Sequence, residues 1–184
     1  MSDLTGKSDI CQYEGMNSTE ATETMANLAK SLIEDSRYDD ETGRYTVPQG
    51  WTYLGCGAYR VVLLAPDGYV YKVQHDTDNN WQENLDEWEA YQLWAAKVLE
   101  LSNGTIRLAK AVELFTDSNV IVMEYEPRAA NVMWYGVGWR NRFCSPEVGK
   151  AIKAIAKETE ITDFQGDNVY FNTKGEIVIV DYAC

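Results

Sequence analysis

Between Trp51 and Tyr125 the chain sets two strand-turn-strand units around one long helical stretch, an order that few folds accommodate. Val61-Val62-Leu63-Leu64 and Tyr69-Val70-Tyr71-Lys72-Val73 flank Pro66-Asp67-Gly68, a turn signal between two β-rich runs. From 81 to 101, Leu85, Trp88, Tyr91, Leu93-Trp94 and Val98 recur at helical spacing. Two more strand candidates, Ala111–Phe115 and Val120–Tyr125, are joined by Asp117-Ser118-Asn119. This order predicts an α+β fold.

The flanking segments are simpler. Residues 1–18 mix Ser, Thr, Asp and Gly without periodicity and read as a mobile tail. Ser18 or Thr19 caps a helix to about Asp35, whose apolar positions Ala21, Met25, Leu28, Leu32 and Ile33 suit docking on the domain behind it. Residues 36–50 are turn-rich and read as a linker. After Pro127 the chain is rich in Gly, Trp, Arg and Asn up to Phe143, which predicts a short helix and loops. Ser145-Pro146-Glu147 then opens a helix through Ala151, Ile152 and Ile155. Val169–Phe171 and Glu176–Val180 flank Asn172-Thr173-Lys174-Gly175 as a last hairpin. The expected division is 1–46 (acidic tail plus one amphipathic helix), 47–126 and 127–184.

Four places carry chemistry. Gly55 and Gly57 lie one residue apart between strands, where backbone amides approach a phosphate without Cβ interference; a plain hairpin turn uses the same residues. Lys72 shares a strand face with Val70, either as a solvated edge lysine or with its ammonium on phosphates beside a helix carboxylate. Glu87 and Glu89 both offer that carboxylate, and Glu87 is preferred because Tyr91 and Trp94 follow it at i+4 and i+7. In Asp163-Phe164-Gln165-Gly166-Asp167-Asn168, an aspartate is placed to orient or deprotonate a hydroxyl and an asparagine to hold a metal. Asp181 ends the apolar run Ile177–Val180 and needs a partner, a metal or water. Helix capping is the plain alternative for either aspartate.

Taken in order, these residues resemble the protein kinase superfamily, over about residues 51–184. Leu54-Gly55-Cys56-Gly57-Ala58-Tyr59-Arg60-Val61-Val62 resembles the glycine-rich loop, Lys72 the strand lysine and Glu87 the helix glutamate. Val122-Met123-Glu124-Tyr125 is similar to the strand entering the hinge, Asp163 to Asn168 to the catalytic loop, and Asp181-Tyr182-Ala183 to the Asp-Phe-Gly metal motif. Short phage-encoded serine/threonine kinase-like proteins are the nearest likeness. The resemblance implies a bilobal fold, with an antiparallel-sheet N-lobe over 47–126 and a truncated, mainly helical C-lobe over 127–184.

It also implies a site for ATP and Mg²⁺. Gly55, Gly57, Arg60 and Val62 cover the nucleotide, Lys72 neutralises phosphate charge and Glu87 fixes Lys72. Met123 guards the pocket behind the adenine, whose edge meets the chain around Glu124, Tyr125 and Glu126. Asn168 and Asp181 supply oxygen to Mg²⁺, and Asp163 accepts the proton of the attacking hydroxyl.

Several positions depart from the family pattern. Arg60 stands at the third glycine, where it is expected to reach a phosphate or fill the nucleotide site. Ile161-Thr162 replaces His-Arg, and Gln165 replaces a lysine. The sequence ends three residues after Asp181, so the expectation is that a partner or a second copy in a homodimer completes the acceptor site, that activity is self-directed, or that phosphotransfer has been lost.

Composition narrows the partners. With 16 Lys+Arg against 29 Asp+Glu the net charge is −13, which argues against direct nucleic-acid binding. No apolar run approaches the roughly 20 residues of a membrane span. Cys11, Cys56, Cys144 and Cys184 form no Cys-x-x-Cys pair, so neither a zinc clamp nor a disulfide framework is expected, and the host cytoplasm is the default compartment. His75 reads as surface, and the six tryptophans as mostly packing residues, with Trp134 and Trp139 the candidates for an exposed partner patch. Three functions remain: a phosphotransferase acting on a host or phage protein or on itself, a pseudokinase that binds without chemistry, and an acidic inhibitor of a host protein.

Overall fold

The computed structural model describes residues 18–35, 38–39, 41, 44–74, 82–129, 145–164 and 168–182. In chain order they form α1 (Ser18–Asp35), two short strands β1 (Tyr38–Asp39) and β2 (Arg44–Tyr45), then β3 (Thr52–Cys56), β4 (Arg60–Leu64) and β5 (Tyr69–Gln74). Helix α2 (Glu83–Leu101) precedes β6 (Ile106–Leu108), β7 (Ala111–Phe115) and β8 (Val120–Glu124). Helix α3 (Pro146–Glu158) and the strands β9 (Val169–Phe171) and β10 (Ile177–Ile179) follow. The class is α+β, as the sequence predicts. No helix among the described residues is long and apolar enough to cross a membrane.

Local chemistry sets the main sheet, whose strand order is β3-β4-β5-β8-β7, antiparallel throughout. Gly68 takes φ +85 in the β4–β5 turn, and Asp67 locks the turn by accepting from the Tyr69 amide (3.0 Å) and the Tyr71 hydroxyl (2.6 Å). Because strand side chains alternate, Val61, Leu63, Tyr71, Val73, Val120 and Val122 face one way. Met25, Ala26, Ala29 and Ile33 of α1 cover them, together with Trp51. The predicted docking helix is therefore present, although Leu28 stays exposed. Residues 36–50 are more than the expected linker. Tyr38 and Asp39 pair with Tyr45 and Arg44, and Tyr45 meets the Tyr53 ring at 6.3 Å, a packing gain that turn-forming composition conceals.

The opposite face carries Val62, Leu64, Val70, Lys72, Ile121 and Met123 and lies against α2. Its apolar residues join a cluster with Val98, Ile106, Leu108, Ile152, Ile155, Ile161 and Ile177–Ile179, so continuous core runs from the sheet into the C-terminal elements. Ser145 caps α3 by accepting from the Val148 amide (3.3 Å), with Pro146 in its first turn. Hairpin β9–β10 forms as predicted, and β6 adds to β10 in parallel to make a three-stranded mixed sheet, Ile106 opposite Ile177. Strand β6 has no counterpart in the sequence reading, because three residues between a helix end and Ala109-Lys110 are too short a run to recognise. The helix and loops expected up to Phe143, the Trp134/Trp139 patch, His75, Gln165 and three of the cysteines lie outside the described residues.

Candidate functional site

The β3–β4 hairpin overhangs a cleft of about 560 Å³ between the main sheet and the β9–β10 hairpin. Leu54, Gly55, Cys56, Gly57 and Val62 form its roof. The Gly57 amide bonds the Arg60 carbonyl (2.9 Å) and closes the tip. A Cβ on Gly55 or Gly57 would meet no atom within 4 Å, and neither residue has positive φ. The protein's own packing therefore does not require glycine at either of these cleft-lining positions.

The back of the cleft holds charge. Lys72 shares the cleft face of β5 with Val70, as alternation predicts, and at 5 % exposed it is not a solvated edge lysine. Its Nζ lies 2.7 Å from both Oε1 and Oε2 of Glu87, which is wholly buried. Glu87, not Glu89, faces inward because Asn84, Glu87, Tyr91, Trp94 and Val98 recur at helical spacing on the sheet side of α2. Asn84 had no signal beyond its place one turn before Glu87. It is buried and donates to the carbonyls of Lys72 (3.0 Å) and Asn119 (2.7 Å), pinning the helix start to the strand ends.

Arg60 joins this pair from behind. It is the first residue of β4, not a loop-tip residue, and its buried side chain does not line the cleft. Nη1 donates to Glu87 Oε2 (2.6 Å), while Nη2 bonds Asp181 Oδ1 and lies 3.5 Å from Glu83 Oε2. The expectation that Arg60 reaches into the nucleotide site is thus not met, since Glu83 and Glu87 draw it toward α2 and Asp181 holds it from the other side. Burial works against its charge, but Glu87, Asp181 and Glu83 outweigh it and raise its pKa above the usual arginine value.

Asp181 is the crossing point. Burial pushes its pKa up, yet Lys72 and Arg60 prevail and hold it below the usual aspartate value. It takes φ +60, a left-handed conformation unusual for a side chain with a Cβ. Lys72 Nζ is 3.4 Å from the same Oδ1. Oδ2 accepts no hydrogen bond among the described residues, and the side chain is 48 % exposed on the cleft. The next residue, Tyr182, is buried, bonds the Ala109 carbonyl (2.8 Å) and stacks obliquely on Tyr91 of α2, which anchors the Asp181 backbone.

Asn168 borders Asp181 because its carbonyl accepts from the Val180 amide (2.8 Å). Its Nδ2 donates to Asp163 Oδ2 (3.0 Å), which leaves the amide oxygen for the cleft that Asn168 lines. Asp163 does not line the cleft, but sits behind Asn168. Met123, Glu124 and Tyr125 form the edge opposite the hairpin, and the Glu124 amide is committed to the Lys110 carbonyl (2.9 Å).

Several wall residues carry no sequence signal. Tyr170 forms the floor, with its hydroxyl on the Glu126 carbonyl (2.7 Å), Arg128 over its ring at 5.4 Å, and its pKa pushed up to about 12 by burial. Buried Glu126 is itself held by Arg107 (2.6 Å) and Asn172 (3.0 Å). No metal-ligating group of three or more His, Cys, Asp or Glu occurs among the described residues.

The chain matches no protein-family model, and no curated protein matches it.

Proposed function

We propose that the chain is an ATP- and Mg²⁺-dependent phosphotransferase of the protein kinase-like kind, acting on Ser/Thr hydroxyls of a host or phage protein or of itself. The observation that carries the reading is the buried Lys72–Glu87 pair opening onto a glycine-roofed cleft beside Asp181 and Asn168. Stability alone does not select a lysine there, because a buried ion pair is often no better than hydrocarbon of the same volume. On this reading the described N-terminal elements are the sheet lobe, and α3 with the β9–β10 hairpin belongs to a small second lobe.

The donor set fits Mg²⁺. Two hard oxygens, Asn168 Oδ1 and Asp181 Oδ2, are too few for a protein cage but suit an ion that takes its remaining ligands from phosphates and water. Bound there, the ion supplies charge neutralisation to the phosphate oxygens. The chain's own residues do the rest. Lys72 turns its ammonium to the phosphates while Glu87 keeps its position, and the bare backbone of Gly55 and Gly57 lies close over them. Val62, Val70 and Tyr170 sandwich the base. Its edge meets the Glu124 carbonyl and the chain at Tyr125–Glu126, since the Glu124 amide is already bonded. Asp163, one hydrogen bond behind Asn168, receives the hydroxyl proton.

Incubation with labelled ATP and Mg²⁺ is expected to transfer phosphate to the protein itself or to a protein of a bacterial extract, and Asp181→Ala to abolish it. Absence of transfer with any divalent metal overturns the reading. Binding without transfer is the second reading, favoured by Asp163 lying off the cleft wall; it predicts thermal stabilisation by ATP that survives Asp163→Ala.

A further inference from the structure

We propose that Arg60 is a positioning residue that clamps Asp181 to helix α2, engaging carboxylate oxygen Oδ1 and leaving Oδ2 turned to the cleft for a divalent cation. For the cation the proposal rests on the nucleotide reading above; for the clamp it rests on the contacts alone.

Three elements meet at one guanidinium. Arg60 leaves the start of β4 and reaches Glu87 and Glu83 on α2 and Asp181 beyond β10. Planar geometry lets the two terminal nitrogens serve different carboxylates at once, which a lysine ammonium does less well. Lys72 makes a parallel bridge, but its 3.4 Å approach to Asp181 is longer than its 2.7 Å contact with Glu87, and Lys72 also lines the cleft. Any anion entering the cleft competes for Lys72. Arg60 lies behind the wall, out of a ligand's reach, so it keeps its carboxylates when Lys72 turns away. Tyr182 anchors the Asp181 backbone, and the side chain, 48 % exposed, takes its orientation from these two cations. Both cations fall on Oδ1, so the clamp fixes the carboxylate plane without occupying Oδ2.

Arg60→Ala leaves Glu87 paired with Lys72, so the sheet and α2 are expected to fold. Two measurements read the clamp. First, in the nucleotide-free protein, amide hydrogen exchange at 177–182 and at the start of α2 is expected to quicken in Arg60→Ala, while 25–33 of α1 stays unchanged. Second, half-saturating Mg²⁺ for binding a fluorescent ATP analogue is expected to rise about tenfold or more, the usual effect of removing a residue that orients a metal ligand. Affinity for the analogue without metal is expected to stay within about twofold, because Arg60 does not touch the ligand, and Arg60→Lys to fall between. Equal exchange in wild type and Arg60→Ala overturns the clamp. Equal loss of metal-free and metal-loaded binding overturns the positioning role and marks general damage. If the wild type binds no nucleotide with any metal, the phosphotransferase reading and the cation part fall together, and exchange alone decides the clamp. Should Arg60→Ala not fold, Arg60→Lys carries both measurements.

Discussion

On one face of the five-stranded sheet, α1 lays Met25, Ala26, Ala29 and Ile33 over Val61, Leu63, Tyr71 and Val73, hydrocarbon on hydrocarbon. On the other, α2 brings Asn84 and Glu87 down onto Lys72 and Arg60. Both helices cover the same strands, and alternation alone assigns each side chain to its face. The first interface gains from every apolar area it buries. The second takes charges out of water and recovers that cost only through their mutual contacts. A chain selected for stability would build the first kind twice. Retaining the second kind, beside an open cleft, is what the proposed function explains.

The contrast can be broken most forcefully at Glu87. Glu87→Ala leaves Lys72 and Arg60 partly uncompensated in the interior and is expected to cost about 3–5 kcal/mol in urea unfolding. The double change Lys72→Met with Glu87→Leu is expected to recover part of that loss, since hydrocarbon replaces one pair while buried Arg60 keeps only Glu83 and Asp181, and the proposed nucleotide binding is expected to be lost. A double variant as unstable as Glu87→Ala would mean that the charges themselves hold α2. On the apolar face, Leu63→Ala is expected to cost about 3 kcal/mol and to leave the proposed nucleotide binding intact; loss of binding at native temperature would erase the distinction between faces.

The smallest effect lies at Asp181, where solvent screens the tie. Asp181→Asn is expected to cost on the order of 1 kcal/mol or less at pH 7. The sign follows from the lowered pKa: a carboxylate depressed on folding stabilises above its unfolded value near 3.8 and ceases to do so as pH falls through the folded value. The gap between wild type and Asp181→Asn should therefore close below about pH 4 in thermal melts across pH. A gap that persists at low pH would show that the asparagine harms packing rather than charge.

Much of this was legible in the sequence because it depends on periodicity. Alternation placed Lys72 with Val70, and Tyr91 and Trp94 at i+4 and i+7 selected Glu87 over Glu89. Turn residues fixed both ends of β4–β5 and of the last hairpin. What escaped depends on tertiary neighbours. Arg60 has the length to enter the cleft or to turn behind it, and only the position of α2 decides. Asn84 reads as a solvated helix residue until a strand end is packed against it. Tyr170 and Ala109 become cleft walls only when the β9–β10 hairpin docks. Strand β6 and the β1–β2 pair are too short to carry a pattern of their own.

Strand β6 also fixes when the cleft comes into being. It follows α2 closely, yet its partner β10 lies far along the chain, so their parallel pairing closes a long loop and ranks among the slow, high-contact-order steps of folding. Residues 18–124 already contain the roof, Lys72, Glu87 and Arg60. Asn168, Tyr170, Val180 and Asp181 arrive only with the β9–β10 hairpin. During synthesis the sheet and its two helices can form while α2 and β6 still expose Val98 and Ile106. The cleft is thus the last part of the described molecule to be completed, and until β10 docks the nascent chain presents the apolar surface of α2 and β6 that the hairpin later covers.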